Sequence, residues 1–110
     1  MYSINGNDIS LTRGDSLSMK INIIQDGAAY TPAEGDVIRF AMKHRYTDSD
    51  ANVLINKTVP HDTMTLAIEP SDTKDLKMGT TYVYDVQITT ADGDVYTFIK
   101  GKFTLTEEVL

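Results

Sequence analysis

Apolar side chains recur at every second position through most of the chain, the period of strands buried on one face only. Ile9 and Leu11 alternate with polar neighbours and lead into Arg13-Gly14-Asp15-Ser16, which supplies turn chemistry. Leu17, Met19, Ile21 and Ile23 then share one parity, with Ser16, Ser18, Lys20 and Asn22 on the other. Asp26-Gly27 marks a turn, and Pro32 and Gly35 keep the next stretch irregular apart from a short strand near Tyr30. Residues 36–45 read as a strand with Ile38, Phe40 and Met42 on one face and Arg39, Lys43 and Arg45 on the other. A polar loop over 48–52 precedes a weaker strand over 53–59. Its pattern is interrupted by Asn56 and Lys57, as expected of an edge strand protected against mispairing. Pro60-His61-Asp62 turns the chain, and Met64, Leu66 and Ile68 resume the alternation.

Residues 70–79 break the rhythm. Pro70-Ser71-Asp72 offers a capping oxygen and an acidic first turn, Lys74 and Lys77 lie where cations oppose the helix dipole, and Gly79 can adopt the left-handed stop. This predicts one short helical turn near residues 71–77. Tyr82, Tyr84, Val86 and Ile88 form a long strand, Asp92-Gly93 carries a type I′ hairpin signal, and Val95, Ile99, Phe103 and Leu105 continue on one parity, with Gly101 marking a bulge. About seven strands with turn signals every eight to twelve residues predict an all-β fold, an immunoglobulin-like β-sandwich forming a single domain over 1–110. Tyr82 opens the penultimate strand just after the helical turn. That is the place of a tyrosine corner, and equally of an ordinary core tyrosine.

Composition narrows the chemistry. With 110 residues and a hydrophobic fraction of 41%, the chain has an ordinary globular make-up and length enough for one core. It has no cysteine, which removes disulfides, thiolate metal sites and cysteine nucleophiles. The 16 acidic and 10 basic residues give a net charge of −6, the wrong sign for a nucleic-acid binder. The first residues, Met1 to Gly6, have no basic and apolar regions of the signal-peptide kind, and no window approaches the roughly 20 apolar residues of a membrane span. Synthesis in the cytoplasm, with neither nucleic acid nor membrane as partner, is the expectation.

Catalytic groups are scarce. His44 lies near the end of its strand on the parity of Phe40 and Met42. A rim histidine explains it better than a general base, and His61 reads as a solvated turn residue. Their spacing is not that of metal ligands, and no cofactor is expected. The acidic loops Asp48-Ser49-Asp50 and Asp92-Gly93-Asp94 do not follow the EF-hand pattern and consist of ordinary turn residues. Arg13-Gly14-Asp15 spells an adhesion tripeptide that a glycine turn explains equally well, and Asn56-Lys57-Thr58 matches a glycosylation sequon that matters only after secretion. There is no tryptophan for a sugar platform. Tyr2, Tyr30, Tyr46 and Tyr96 are scattered in sequence, so carbohydrate binding, or binding of a divalent ion, stands as the alternative to a purely structural role.

Several stretches carry a family resemblance: Ile9 to Ser16, Gly35 to Lys43 with its Gly-Asp-Val-Ile start, Leu76 to Asp85, the Asp92-Gly93 hairpin and Gly101-Lys102-Phe103. In this order they resemble the N-terminal domain of phage baseplate upper proteins and related small proteins encoded in bacterial prophages. The likeness covers most of the chain, through turns and core positions. It implies a non-enzymatic Ig-like module that builds or decorates a phage tail or baseplate. Such a module is made in the bacterial cytoplasm, is incorporated into a virion, and acts by contacts with other virion proteins or with its own copies. The expectation is a single domain without the long C-terminal region that carries the receptor-binding module in those baseplate proteins. The outward stripe Arg39, Lys43 and Arg45 is the candidate partner contact, suited to an acidic patch, with a solvated strand face as the plain alternative.

Overall fold

The computed structural model describes residues 2–25 and 27–109. Met1 and Leu110, the ends of the expected domain, lie outside the described residues, as does Asp26 of the expected Asp26-Gly27 turn. The described residues form ten strands: β1 (Tyr2–Asn5), β2 (Asp8–Thr12), β3 (Leu17–Lys20), β4 (Ile24–Gln25), β5 (Ala28–Ala29), β6 (Val37–Lys43), β7 (Ile55–Val59), β8 (Thr65–Ile68), β9 (Thr80–Thr89) and β10 (Val95–Thr106). A single 3-10 turn covers Asp50–Asn52, and one helical turn, α1 (Pro70–Thr73), lies between β8 and β9.

The larger sheet has the order β1-β2-β10-β9-β6-β7, antiparallel except where β2 runs parallel to β10. The antiparallel pair β3-β8 packs against it through the shared core, and β4-β5 forms a small separate hairpin. The fold is therefore an all-β sandwich of immunoglobulin-like type with unequal layers. Its last, penultimate and β6 strands adjoin in that order, and β7 extends the sheet at one edge.

Alternation fills the space between the layers. Ile38, Phe40 and Met42 from β6, Tyr82, Tyr84, Val86 and Ile88 from β9, and Phe103 and Leu105 from β10 are all buried. They meet Leu17, Leu66 and Ile68 from the smaller layer, joined by Ile21 and Ile23 from the extended segment after β3. Phe40 sits at the centre, its ring 5.2 Å from that of Tyr84 and 6.3 Å from that of Phe103. Burial pushes the Tyr84 phenol up to about 12, and its hydroxyl donates to the Asn7 carbonyl.

Tyr82 makes the corner. Its hydroxyl donates to the Lys77 carbonyl and accepts from the Lys77 amide, both at 3.1 Å, which ties the crossover back onto the start of β9. The helical turn itself is shorter than residues 71–77 and starts earlier. Glu69 stands at the N-cap, and its amide donates to the Asp72 carboxylate at 2.7 Å. β7 is an edge strand, and Lys57 points to the inner side of it, paired with Asp72 at 2.9 Å.

Three local expectations change. The bulge in β10 falls between Thr97 and Ile99, so Val95 turns outward and is 56% exposed while Phe103 stays inside. Gly101 serves a different need: a Cβ there would collide with the Asn7 carbonyl and come within 2.9 Å of the Tyr84 ring. The β9–β10 hairpin is not type I′, which needs two residues with positive φ. Only Gly93, at φ 89°, is left-handed, and the Thr90 amide bonds to the Asp94 carbonyl across a three-residue loop.

Candidate functional site

The outward face of the larger sheet is the surface on which the sequence places Arg39 and Lys43, and the strand register orders it into rows. Val37, Thr89 and Val95 form one row across β6, β9 and β10. Arg39, Gln87 and Thr97 form the next, with Thr58 of β7 beside Arg39. Then come Ala41, Asp85 and Lys100, flanked by Asn56, and finally Lys43, Val83 and Lys102.

Short side chains at the middle of a row of long ones leave a hollow. Ala41 and Val83 form the floor of an open trough of about 300 Å³, walled by Arg39, Lys43, Tyr46 and Gln87. The Tyr46 hydroxyl donates to the Gly101 carbonyl at 3.3 Å, and the Lys100 ammonium lies 6.0 Å from the Tyr46 ring centroid, at the limit of a cation–π contact.

The three cations expected to act together have different environments. Arg39 is exposed, and among the described residues it has no hydrogen-bond or ion-pair partner. Its row supplies only neutral neighbours. Lys43 is half-buried and committed: its ammonium donates to Asp50 Oδ1 at 2.7 Å and to the Asp48 carbonyl at 3.0 Å. The Lys43 hydrogen bond, and then its charge, hold the Asp50 carboxyl below the usual carboxylate range. Arg45 stands beyond the end of β6 in an exposed turn, where its amide donates to Asp48 Oδ2 at 3.2 Å. Lys100 and Lys102, which sequence reasoning did not select, also lie on the face, on the parity opposite to Ile99, Phe103 and Leu105. Pairing the last strand against Asp85 would have found Lys100.

The remaining sequence candidates separate in space. His44 is exposed just past one end of β6, its ring 5.2 Å from Tyr82. His61 is exposed in the β7–β8 turn, by the other end of the same strand. Arg13-Gly14-Asp15 is not an open tip. The Arg13 guanidinium donates to Glu108 Oε1 at 2.8 Å and to the Leu76 carbonyl at 3.2 Å, and the Gly14 amide donates to the fully buried Thr73 hydroxyl at 2.8 Å. Lys74 donates to the other Glu108 oxygen at 2.8 Å. Two of the scattered tyrosines do converge, with Tyr30 stacked on Phe98 at 5.8 Å and Tyr96 6.4 Å from the same ring. Among the described residues no group of three or more His, Asp or Glu is placed to hold a metal ion, and no helix is long and apolar enough to cross a membrane.

One end of the sandwich is acidic. The loops before β6, between β7 and β8, and between β9 and β10 meet there. The Asp36 carboxyl is held down by the Ala33 amide, then the Tyr30 hydroxyl, with the Ala91 amide and the His61 charge contributing. Glu34, Asp62, Asp92 and Asp94 are exposed on these same loops. Comparison with protein-family models, with curated proteins and with solved structures finds no match to this chain in any of the three.

Proposed function

We propose that the chain is a non-enzymatic assembly module of a bacteriophage or prophage particle, working through protein–protein contacts on the outward face of its larger sheet. The observation that carries this reading is Arg39, an exposed guanidinium with no partner among the described residues, set in the wall of a trough on a broad sheet face. A planar guanidinium with five donors suits a carboxylate of a partner protein, and desolvating such a pair at the centre of an interface gives orientation and specificity. The rest of the sheet backs it rigidly, since the ladders between β6, β9 and β10 tie every row of the face and β7 joins the rows of Arg39 and Ala41. The tail or baseplate setting is what the resemblance implies. The separation of His44 and His61 along β6 speaks for a contact role over acid–base chemistry.

Affinity capture from a lysogen induced to make particles tests this. The tagged wild-type chain is expected to recover virion structural proteins, and Arg39→Glu to recover them poorly. Recovery of no virion protein by the wild type, or equal recovery by the variant, would reject the reading. Carbohydrate binding keeps a foothold in one observation, the Tyr30–Phe98–Tyr96 aromatic group with Tyr96 48% exposed. A glycan that raises the melting temperature of the wild type but not of Tyr96→Ala would favour it, and calcium in the same scan covers the divalent-ion alternative.

A further inference from the structure

We infer that the chain pairs with a second copy of itself along β1, edge to edge and antiparallel about a two-fold axis at Ser3, so that the two larger sheets join into one. The contact uses the open edge of the sheet and leaves the outward face free, so the inference stands independently of the assembly reading.

β1 is the outermost strand at one end of the larger sheet, and all of its residues are exposed. Strand edges in stable folds are commonly blunted by charge, proline or a bulge. The opposite edge, β7, is blunted in this way by Lys57, whose side chain points to the inner side. β1, with the sequence Tyr2-Ser3-Ile4-Asn5, carries none of these devices. Its register sets Tyr2 against Leu11 and Ile4 against Ile9, two residues of the core, so both side chains lie on the inner side of the sheet. They remain 44% and 45% exposed, an apolar margin of the inner side that the smaller layer leaves uncovered.

The backbone selects a copy of the same strand as the occupant. Gly6, at φ 62°, opens a two-residue turn into β2, and Asn5 faces Asp8 across it. The pair that closes such a turn exchanges both of its hydrogen bonds, and bonded and non-bonded pairs alternate from there. Ser3 and Asn5 therefore direct their backbone groups to β2, and Tyr2 and Ile4 direct theirs to the open edge. A two-fold axis normal to the sheet makes the new strand pair antiparallel and keeps both inner sides together. With Ser3 on the axis, Tyr2 of each copy stands opposite Ile4 of the other, and each such pair exchanges both bonds. With Ile4 on the axis, only the Ile4 pair would bond, and Tyr2 would face the turn glycine. On the inner side, Tyr2 and Ile4 of the two copies then cover one another beside Ile9 and Leu11. Charge permits the contact although the chain is net −6. Residues 2–7 are uncharged, and Asp8 on the next strand lies about 20 Å from its counterpart, well over a Debye length at physiological salt. The contact is short, below the roughly 1,200 Å² of standard interfaces, and belongs to the weak, reversible class in which main-chain bonds carry the affinity.

A register-specific disulfide reads such a weak pair directly, since the chain has no cysteine of its own. Two residues facing each other in a non-hydrogen-bonded pair are about 4.5 Å apart at Cα, within the range a disulfide spans. Asn5, off the axis, lies about 14 Å from its counterpart and outside that range. In a glutathione buffer, the untagged Ser3→Cys chain is expected to form a covalent dimer at least about tenfold faster than Asn5→Cys. Adding Ile4→Pro, which removes a backbone donor on the open edge, should return Ser3→Cys to the Asn5→Cys rate. Sedimentation of the wild type over roughly 10 μM to 1 mM should show a monomer–dimer equilibrium indifferent to added salt. Equal rates for the two cysteines, a wild type monomeric throughout that range, growth past the dimer, or a dimer broken by Arg39→Glu but not by Ile4→Pro would each overturn the inference. Circular dichroism matching the wild type verifies that the variants fold, and Ile4→Lys, which sets a charge among the covered side chains, serves where the proline variant does not fold. A chain that does not dimerise yet captures virion proteins through Arg39 refutes this inference and spares the assembly reading. A dimer that captures none does the reverse.

Discussion

Replacing Phe40 by alanine probes the sandwich at its centre. Phe40 is 0% exposed, with the rings of Tyr84 and Phe103 against it and Val86 beside it on β9. A phenylalanine buries about 150–250 Å². At about 25 cal/mol per Å² this is worth roughly 4–6 kcal/mol, an upper bound because the unfolded chain already hides part of it. Alanine keeps part of that burial but leaves a cavity between two aromatic rings that are held by their own strands. The net expectation is a loss of about 3–5 kcal/mol. A domain of this size is stable by about 5–15 kcal/mol, and each kcal/mol shifts its midpoint by about 4 °C, so the melting temperature should fall by about 12–20 °C. Urea unfolding with an unchanged slope measures the loss directly. The neighbouring Arg39→Ala is the control: on the opposite face it should change stability by less than about 0.5 kcal/mol. A loss below about 1 kcal/mol for Phe40→Ala, or an equal loss for the two, would refute the assignment of faces on β6.

Three further outcomes follow from the geometry. Tyr82→Phe keeps the ring and removes the hydroxyl that satisfies the Lys77 amide and carbonyl, so it should cost about 1.5–3 kcal/mol in urea unfolding; no loss would mean that water serves those groups equally well. Gly101→Ala adds a methyl against the Asn7 carbonyl and the Tyr84 ring and should cost about 1–3 kcal/mol, whereas Gly93→Ala at the open hairpin tip pays only for its left-handed φ and should cost less. Glu108 is held below the ordinary glutamate value by its hydrogen bonds from Lys74 and then Arg13. A depressed carboxylate contributes stability above its unfolded value, near pH 4.3, and loses it as pH falls through the lower folded one. The wild-type melting temperature should therefore drop more steeply below about pH 4.3 than that of Glu108→Gln, and parallel curves would remove the role of this clamp.

The parts of this fold that depend on local alternation were legible. Ile38, Phe40 and Met42 announce their buried face without reference to any partner, and so do Tyr82 to Ile88, because a half-buried strand writes its period into the sequence. The tyrosine corner was legible to the extent that its position between a helical turn and a strand is itself local. What was not legible depends on pairing. The bulge at Thr97–Ile99 is a mismatch between two strands, and it alone turns Val95 outward. β1 carried a signal, Tyr2 and Ile4 alternating before Asn5-Gly6, but both side chains stay near 45% exposed, so no run of buried positions marks the strand. At the face itself, parity was sufficient for Arg39. It could not show that Lys43 is tied to the 3-10 turn at Asp50, or that β6 stops before Arg45. The clamp between Arg13 and Glu108 joins residues 95 positions apart, beyond any short-range pattern.

Mass spectrometry of density-purified particles from the induced lysogen asks most directly whether this is a virion module. Peptides of this chain are expected at a fixed ratio to the tail structural proteins, with the ratio falling sharply when the chain carries Arg39→Glu. A chain abundant in the lysate yet missing from the particles, or packaged equally well without the Arg39 guanidinium, would contradict the account.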